Sequence, residues 1–224
     1  AKAKNASWTS KSQAQVLHGA DALGVDVPVG VCSRNGVTCK GITPVELNFY
    51  GRGLNSSLQR AFAWTGHNMA GLEIVTFGYN QLEGTIPPLA AAKNLRFVDF
   101  SLNFLSGTIP DVSSLTLLET LRIGYNFLSG TLPSLDMATR LLQLDVHANG
   151  ISGTLPPFQH WPALHRLNVY ENRLSGSIPA LTGLAQLKKA YFLKQIKPGG
   201  FTGRFPTASC ELLAGLDGEF DGVE

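Results

Sequence analysis

The chain has 224 residues, a formal net charge of +2, 44% hydrophobic residues and 15% charged ones. A chain this apolar and this evenly charged is not disordered, and the absence of a Lys/Arg cluster argues against a nucleic-acid footprint. No apolar run approaches the roughly 18–20 residues of a membrane helix, and the 24 glycines follow no three-residue period, which excludes collagen.

Residues 1–44 do not repeat and read as an N-terminal cap. Val16, Leu17, Ala20 and Leu23 recur at helical spacing, with Ser10 or Ser12 as a helix cap. VCSRNGVTCKG follows, carrying Cys32 and Cys39 with no His/Cys pair that would complete a zinc pattern. Val45 to Leu58 form a degenerate first repeat, with Leu47 and Phe49 inward and Arg52 where later units carry Asn. The longer spacing to the next unit lies in LQRAFAWTGHNMAG, which reads as a short convex-side helix with Phe62 and Trp64 packed inward.

From Leu72 onward the chain repeats. Asn80, Asn103, Asn126, Asn149 and Asn172 stand 23 residues apart within the shared pattern LxxLxLxxNxLSGxIP. Alternating apolar pairs such as Val98/Phe100, Leu121/Ile123 and Leu144/Val146 have the period of a strand with one face inward. One strand per repeat cannot make a hairpin with its neighbour, so the strands run parallel and the remaining residues form the crossover. The expected fold is therefore an α/β repeat solenoid with a 23-residue period and one parallel concave sheet of about seven strands. The asparagines mark the bend after each strand. An amide that both donates and accepts satisfies the buried backbone groups of such a bend, giving a structural ladder. Gly107, Gly130, Gly153 and Gly176 permit a second tight bend.

A seventh unit begins at Leu187 with Gln195 at the Asn place, interrupted by IKPGG before FTGRFP resumes. The repeats thus occupy 45–206, and 207–224 read as a degenerate or incomplete terminal unit. Terminal coils need a polar cap. None is recognisable here, so a further segment or another chain is expected over the last coil. Cys210 is the odd cysteine, either buried and free or paired outside this stretch.

The repeat resembles the plant-type leucine-rich repeat of plant receptor-kinase ectodomains and polygalacturonase-inhibiting proteins, and that of trypanosomatid surface antigens. The resemblance implies a right-handed twisted solenoid whose function is recognition. It also implies a cap disulfide between Cys32 and Cys39, because plant-type members carry a cysteine pair near a GVxC motif like Gly36–Cys39. The family's tryptophan before that glycine is absent, Arg34 and Asn35 standing there instead. Such a disulfide places the chain in an oxidising compartment, secreted or at the cell surface. The sequons at Asn5 and Asn55 agree with that and would carry N-linked glycans.

No catalytic motif surrounds the five histidines, and there is no GxSxG or P-loop, so neither an enzyme nor a cofactor is expected. Asp99, Arg122 and Asp145 share one strand position in successive repeats and read as a charge ladder on an exposed sheet. Outward positions of the strands and their ends supply the candidate ligand contacts: Tyr79, Phe97, Asp99, Arg122, Tyr125, Asp145, His147, Asn168, Tyr170 and Tyr191. Tyrosine and arginine are enriched in interface hot spots. The expected function is non-catalytic binding of a protein or peptide by the concave face. One alternative is a structural glycoprotein subunit of a surface coat or filament that self-associates end to end. A second, resting on the resemblance, is an inhibitor of a secreted hydrolase.

Overall fold

The computed structural model describes residues 31–59, 69–192, 194–196 and 200–202. The expected cap helix, the convex helix with Phe62 and Trp64, the IKPGG insertion, Asn5 and Cys210 lie wholly or mainly outside them.

Seven parallel strands, one per coil, line one side of a solenoid: β2 (Thr43–Asn48), β3 (Ile74–Thr76), β5 (Phe97–Asp99), β7 (Thr120–Arg122), β9 (Gln143–Asp145), β11 (Arg166–Asn168) and β13 (Lys189–Tyr191). The cap contributes β1 (Val37–Lys40), antiparallel to β2, as the eighth strand of that sheet. The Cys32–Cys39 disulfide closes the loop before this hairpin, with 5.8 Å between Cα atoms. Lys40 reaches Glu73 on the second coil at 3.0 Å.

The register is continuous. Leu47, Val75, Val98, Leu121, Leu144, Leu167 and Ala190 face one another down the sheet and are all buried. The second residue of each apolar pair builds an inner column. Phe49 stacks on Phe77 at 5.1 Å and Phe77 leans on Phe100 at 6.3 Å. Farther along, the column narrows to Ile123, Val146 and Val169. Trp161 and Phe158 of a returning segment lie 5.7 Å apart, and Phe158 lies 6.4 Å from Phe192, the column's member on the last described coil. The Trp161 indole N–H donates to Leu135 O at 3.1 Å, so the ring is buried with its polar atom satisfied. Each buried Leu or Phe contributes about 1.5–3 kcal/mol. Because every coil touches only its neighbours, that stabilisation accumulates coil by coil.

The bend after each strand is held by side-chain amides. Asn103 Nδ2 donates to Phe77 O of the preceding coil and to Phe100 O and Ser101 O of its own, at 2.9–3.1 Å, while its Oδ1 accepts Leu82 N–H at 3.0 Å. Asn80, Asn126, Asn149 and Asn172 repeat this pattern. Gln195 does the same work for the last described coil, accepting from Leu174 N–H and donating to Val169 O and Phe192 O. The residue just before each amide sits in the left-handed region: Tyr79, Leu102, Tyr125, Ala148, Glu171 and Lys194 have φ between 49° and 57°. That conformation disfavours a residue bearing Cβ and persists where its surroundings fix it. Here the ladder does so.

Six short strands follow the bends: β4 (Glu83–Thr85), β6 (Phe104–Thr108) and β8 (Phe127–Ser129) in one three-stranded sheet, and β10 (Ser152–Thr154), β12 (Arg173–Gly176) and β14 (Gly200–Phe201) in another. Gly107, inside β6, and Gly130, directly after β8, turn the chain with φ near +80°. A Cβ there would lie 2.8 Å from the Thr85 or Thr108 methyl of the coil before. The second bend anticipated from the glycines is thus a left-handed residue within or directly after these short strands.

Candidate recognition surface

On the concave sheet the side chains stand in columns, because parallel register stacks equivalent positions at roughly 4.8 Å. One column runs Glu46, Ile74, Phe97, Thr120, Gln143, Arg166, Lys189, and the next outward column runs Asn48, Thr76, Asp99, Arg122, Asp145, Asn168, Tyr191. A third, at the strand ends, holds Tyr50, Gly78, Ser101, Gly124, His147 and Tyr170. Phe97, Arg122, His147, Asn168, Tyr170 and Tyr191 are half-buried on this surface.

The acidic members of the second column are not displayed to solvent as the ladder reading had them. Asp99 is 2% exposed and Asp145 is also buried. The physical reason is a turn bond two residues on. Asp99 accepts Ser101 N–H at 2.9 Å and the Ser101 hydroxyl at 2.5 Å, and Asp145 accepts the backbone N–H and the ring Nδ1 of His147. Asn168 makes the equivalent bond from Tyr170 N–H at 3.4 Å. Arg122 lies between the two carboxylates in register but closes on Asp99 at 3.2 Å, the Asp145 carboxylate being held by His147. An Arg between two Asp is thus split into an Arg–Asp pair and a His–Asp pair.

Gly124 makes the second pair possible: a Cβ there would lie 2.4 Å from His147 Nδ1. The Tyr125 ring meets the imidazole edge-on at 4.6 Å. Coils three to five therefore bring Asp99, Arg122, Tyr125, Asp145 and His147 into one connected cluster. Coils six and seven form a second group, with Arg166 over the Tyr191 ring at 6.0 Å and Lys194 over Tyr170 at 5.1 Å. The surroundings of that end are basic: Arg166 and Lys189 stand on the sheet and Lys188 just before its last strand, while Arg173 and Lys194 lie beyond the strand ends with Glu171.

Tyr79 and Tyr125 belong to the left-handed bend, so they stand on the flank where the chain leaves the sheet. With Leu102 they face Phe104 and Phe127 across the ladder asparagines, and together they line a groove of about 660 Å³. Phe104 and Phe127 escaped sequence reasoning. The available signal was an apolar residue directly after the ladder Asn on two successive repeats, a place with no core to enter. Among the described residues no group of three His, Cys, Asp or Glu could hold a metal ion, and no helix is long and apolar enough to cross a membrane.

No family model and no curated protein matches the chain. Solved structures do. The ectodomain of the Arabidopsis receptor kinase HAESA, in complex with an N-terminally extended IDA peptide hormone, is 25% identical over 93% of this chain and 40% of that one, with a TM-score of 0.61. The PEPR1–AtPEP1 complex is 29% identical over 68% of this chain and 21% of that one, at 0.58. The ectodomain of the receptor kinase SOBIR1 from Arabidopsis thaliana is 29% identical over 73% of this chain and 93% of that one, at 0.54. The chain spans less than half the length of the HAESA and PEPR1 chains. With its 23-residue unit, amide-tied coils and parallel inner sheet, the chain has the plant-type leucine-rich-repeat fold, similar to these ectodomains.

Proposed function

We propose that this chain is an extracellular recognition module that binds a protein or peptide across its concave sheet and performs no chemistry on it. The observation that carries the reading is the sheet itself. Its backbone is tied at every coil by buried amides, and it presents a fixed array of half-buried aromatic, amide and cationic side chains roughly 30 Å long. A rigid array loses little entropy on binding. The HAESA structure holds a peptide hormone ligand on the same architecture, which supports a peptide or protein as ligand class.

Within the proposed site, Arg122, Asn168, Tyr170, Tyr191 and Phe97 contact the ligand, and His147 and Tyr125 border it. Asp99 and Asp145 act behind them, fixing Arg122 and His147. The basic end at coils six and seven favours a ligand with an acidic portion there. The cap disulfide supports an oxidising, extracellular setting, and Asn55, exposed beside the first coil, is the proposed glycan site among the described residues. Selection of binders from a displayed peptide library tests the site. The variant Arg166→Ala/Tyr170→Ala/Tyr191→Ala, folded by circular dichroism, is expected to lose at least about thirtyfold in affinity for binders selected on the native chain. Undiminished binding by that variant refutes the concave-face site.

A further inference from the structure

The flank groove is a surface distinct from the concave sheet. On each coil the residues before and after the ladder amide stand on either side of it. On coils two to four these are Tyr79 and Gln81, Leu102 and Phe104, Tyr125 and Phe127. The aromatic and leucine members are 39–66% exposed, and Phe104 stacks on Phe127 at 6.2 Å. An aromatic side chain offers about 150–250 Å², so these exposures leave on the order of 500 Å² of contiguous apolar surface. That is the upper end of what a monomer leaves uncovered, and more than half the roughly 800 Å² that one partner gives to a standard interface.

We propose that this flank is a homodimer interface in which two copies pack antiparallel about a two-fold axis between coils three and four. Two observations select a second copy as the occupant. A two-fold contact sets each column against itself with the coil order reversed. Charges of one sign near the axis would meet their like, and from coil two to coil five neither column carries a charged residue. The columns are also complementary in height under that reversal. Coil five is low, with Ala148 and Gly150, and receives Tyr79 and Gln81 of the other copy. Coil one is low, with Gly51 and Gly53, and receives the long Glu171 and Arg173. At the axis, Leu102 and Phe104 of each copy meet Tyr125 and Phe127 of the other. Tyr125, which borders the proposed ligand site through His147, is shared by the two surfaces, and neither flank variant below changes it.

Sedimentation equilibrium of the full chain from about 1 to 300 µM tests it. The native chain is expected to dimerise within that range. Phe104→Ser/Phe127→Ser changes only exposed rings, so the fold persists, verified by an unchanged melting profile, while the dimer Kd rises at least about thirtyfold. Ala148→Lys raises the low step at a left-handed position where coil seven already carries Lys194, and is expected to block association by meeting Tyr79 of the other copy. Tyr191→Ala, on the concave sheet, leaves the dimer unchanged. A native chain that stays monomeric throughout overturns the proposal, including one whose groove instead takes up a selected peptide. A dimer indifferent to both flank variants overturns it as well.

Discussion

Replacing Asn126 by Ala removes one rung of the ladder from the middle of the solenoid. Its Nδ2 donates to Phe100 O, Ile123 O and Gly124 O, and its Oδ1 accepts Leu105 N–H at 2.9 Å. The losses are unequal. Phe100 O keeps a bond from Asn103, Ile123 O one from Asn149, and Gly124 O one from Leu102 N–H. Leu105 N–H alone is left buried with no acceptor, which costs about 1–3 kcal/mol. Three weakened carbonyls add roughly 0.5–1 kcal/mol each. The left-handed Tyr125 also loses the group that fixes its conformation. A total near 3–5 kcal/mol is expected, read as a lower midpoint in urea denaturation followed by circular dichroism. Because coils are stabilised by their neighbours, the same variant should broaden or split the transition between the two halves. A loss below about 1 kcal/mol with a single sharp transition refutes the view that the amides tie the coils together.

Three further outcomes follow from the same packing. Gly130→Ala places a Cβ 2.8 Å from the Thr108 methyl at a φ of +79°, and thermal melts should show a loss of about 1–3 kcal/mol, whereas Gly53→Ala, with a comparable φ but open space around it, should cost less. Trp161→Ala empties a fully buried site beside Phe158 and strips Leu135 O of its indole donor; chemical denaturation should register about 3–5 kcal/mol. Reducing Cys32–Cys39 frees an eight-residue loop and should lower stability by about 2.5 kcal/mol on the chain-entropy account, measured by melting with and without dithiothreitol.

The fold was legible because the same physical demand recurs on every coil. One inward apolar pair, one amide and one glycine per 23 residues leave little choice of topology, and Gln195 could be placed on the ladder from spacing alone. The site was less legible because it depends on contacts between unlike residues of neighbouring coils. Strand alternation put Asp99 and Asp145 on the exposed face. Their burial comes from a bond to the N–H two residues on and from the identities of Ser101 and His147. Whether Arg122 turned to Asp99 or Asp145 was decided by His147, admitted by the missing Cβ of Gly124. Alternation also carries one step too far at Tyr79 and Tyr125. There the backbone has already turned left-handed and swings both rings to the flank, beside Phe104 and Phe127.

Recognition by the inner sheet is decided by where a partner touches the coils. Hydrogen–deuterium exchange of the chain, alone and with the tightest library-selected peptide, reads this directly. Protection is expected over β9, β11 and β13 and the bends that follow them, with the returning segments around Val112, Leu135 and Phe158 unchanged. Protection confined to those returning segments would contradict the claim that the inner sheet is the recognising surface.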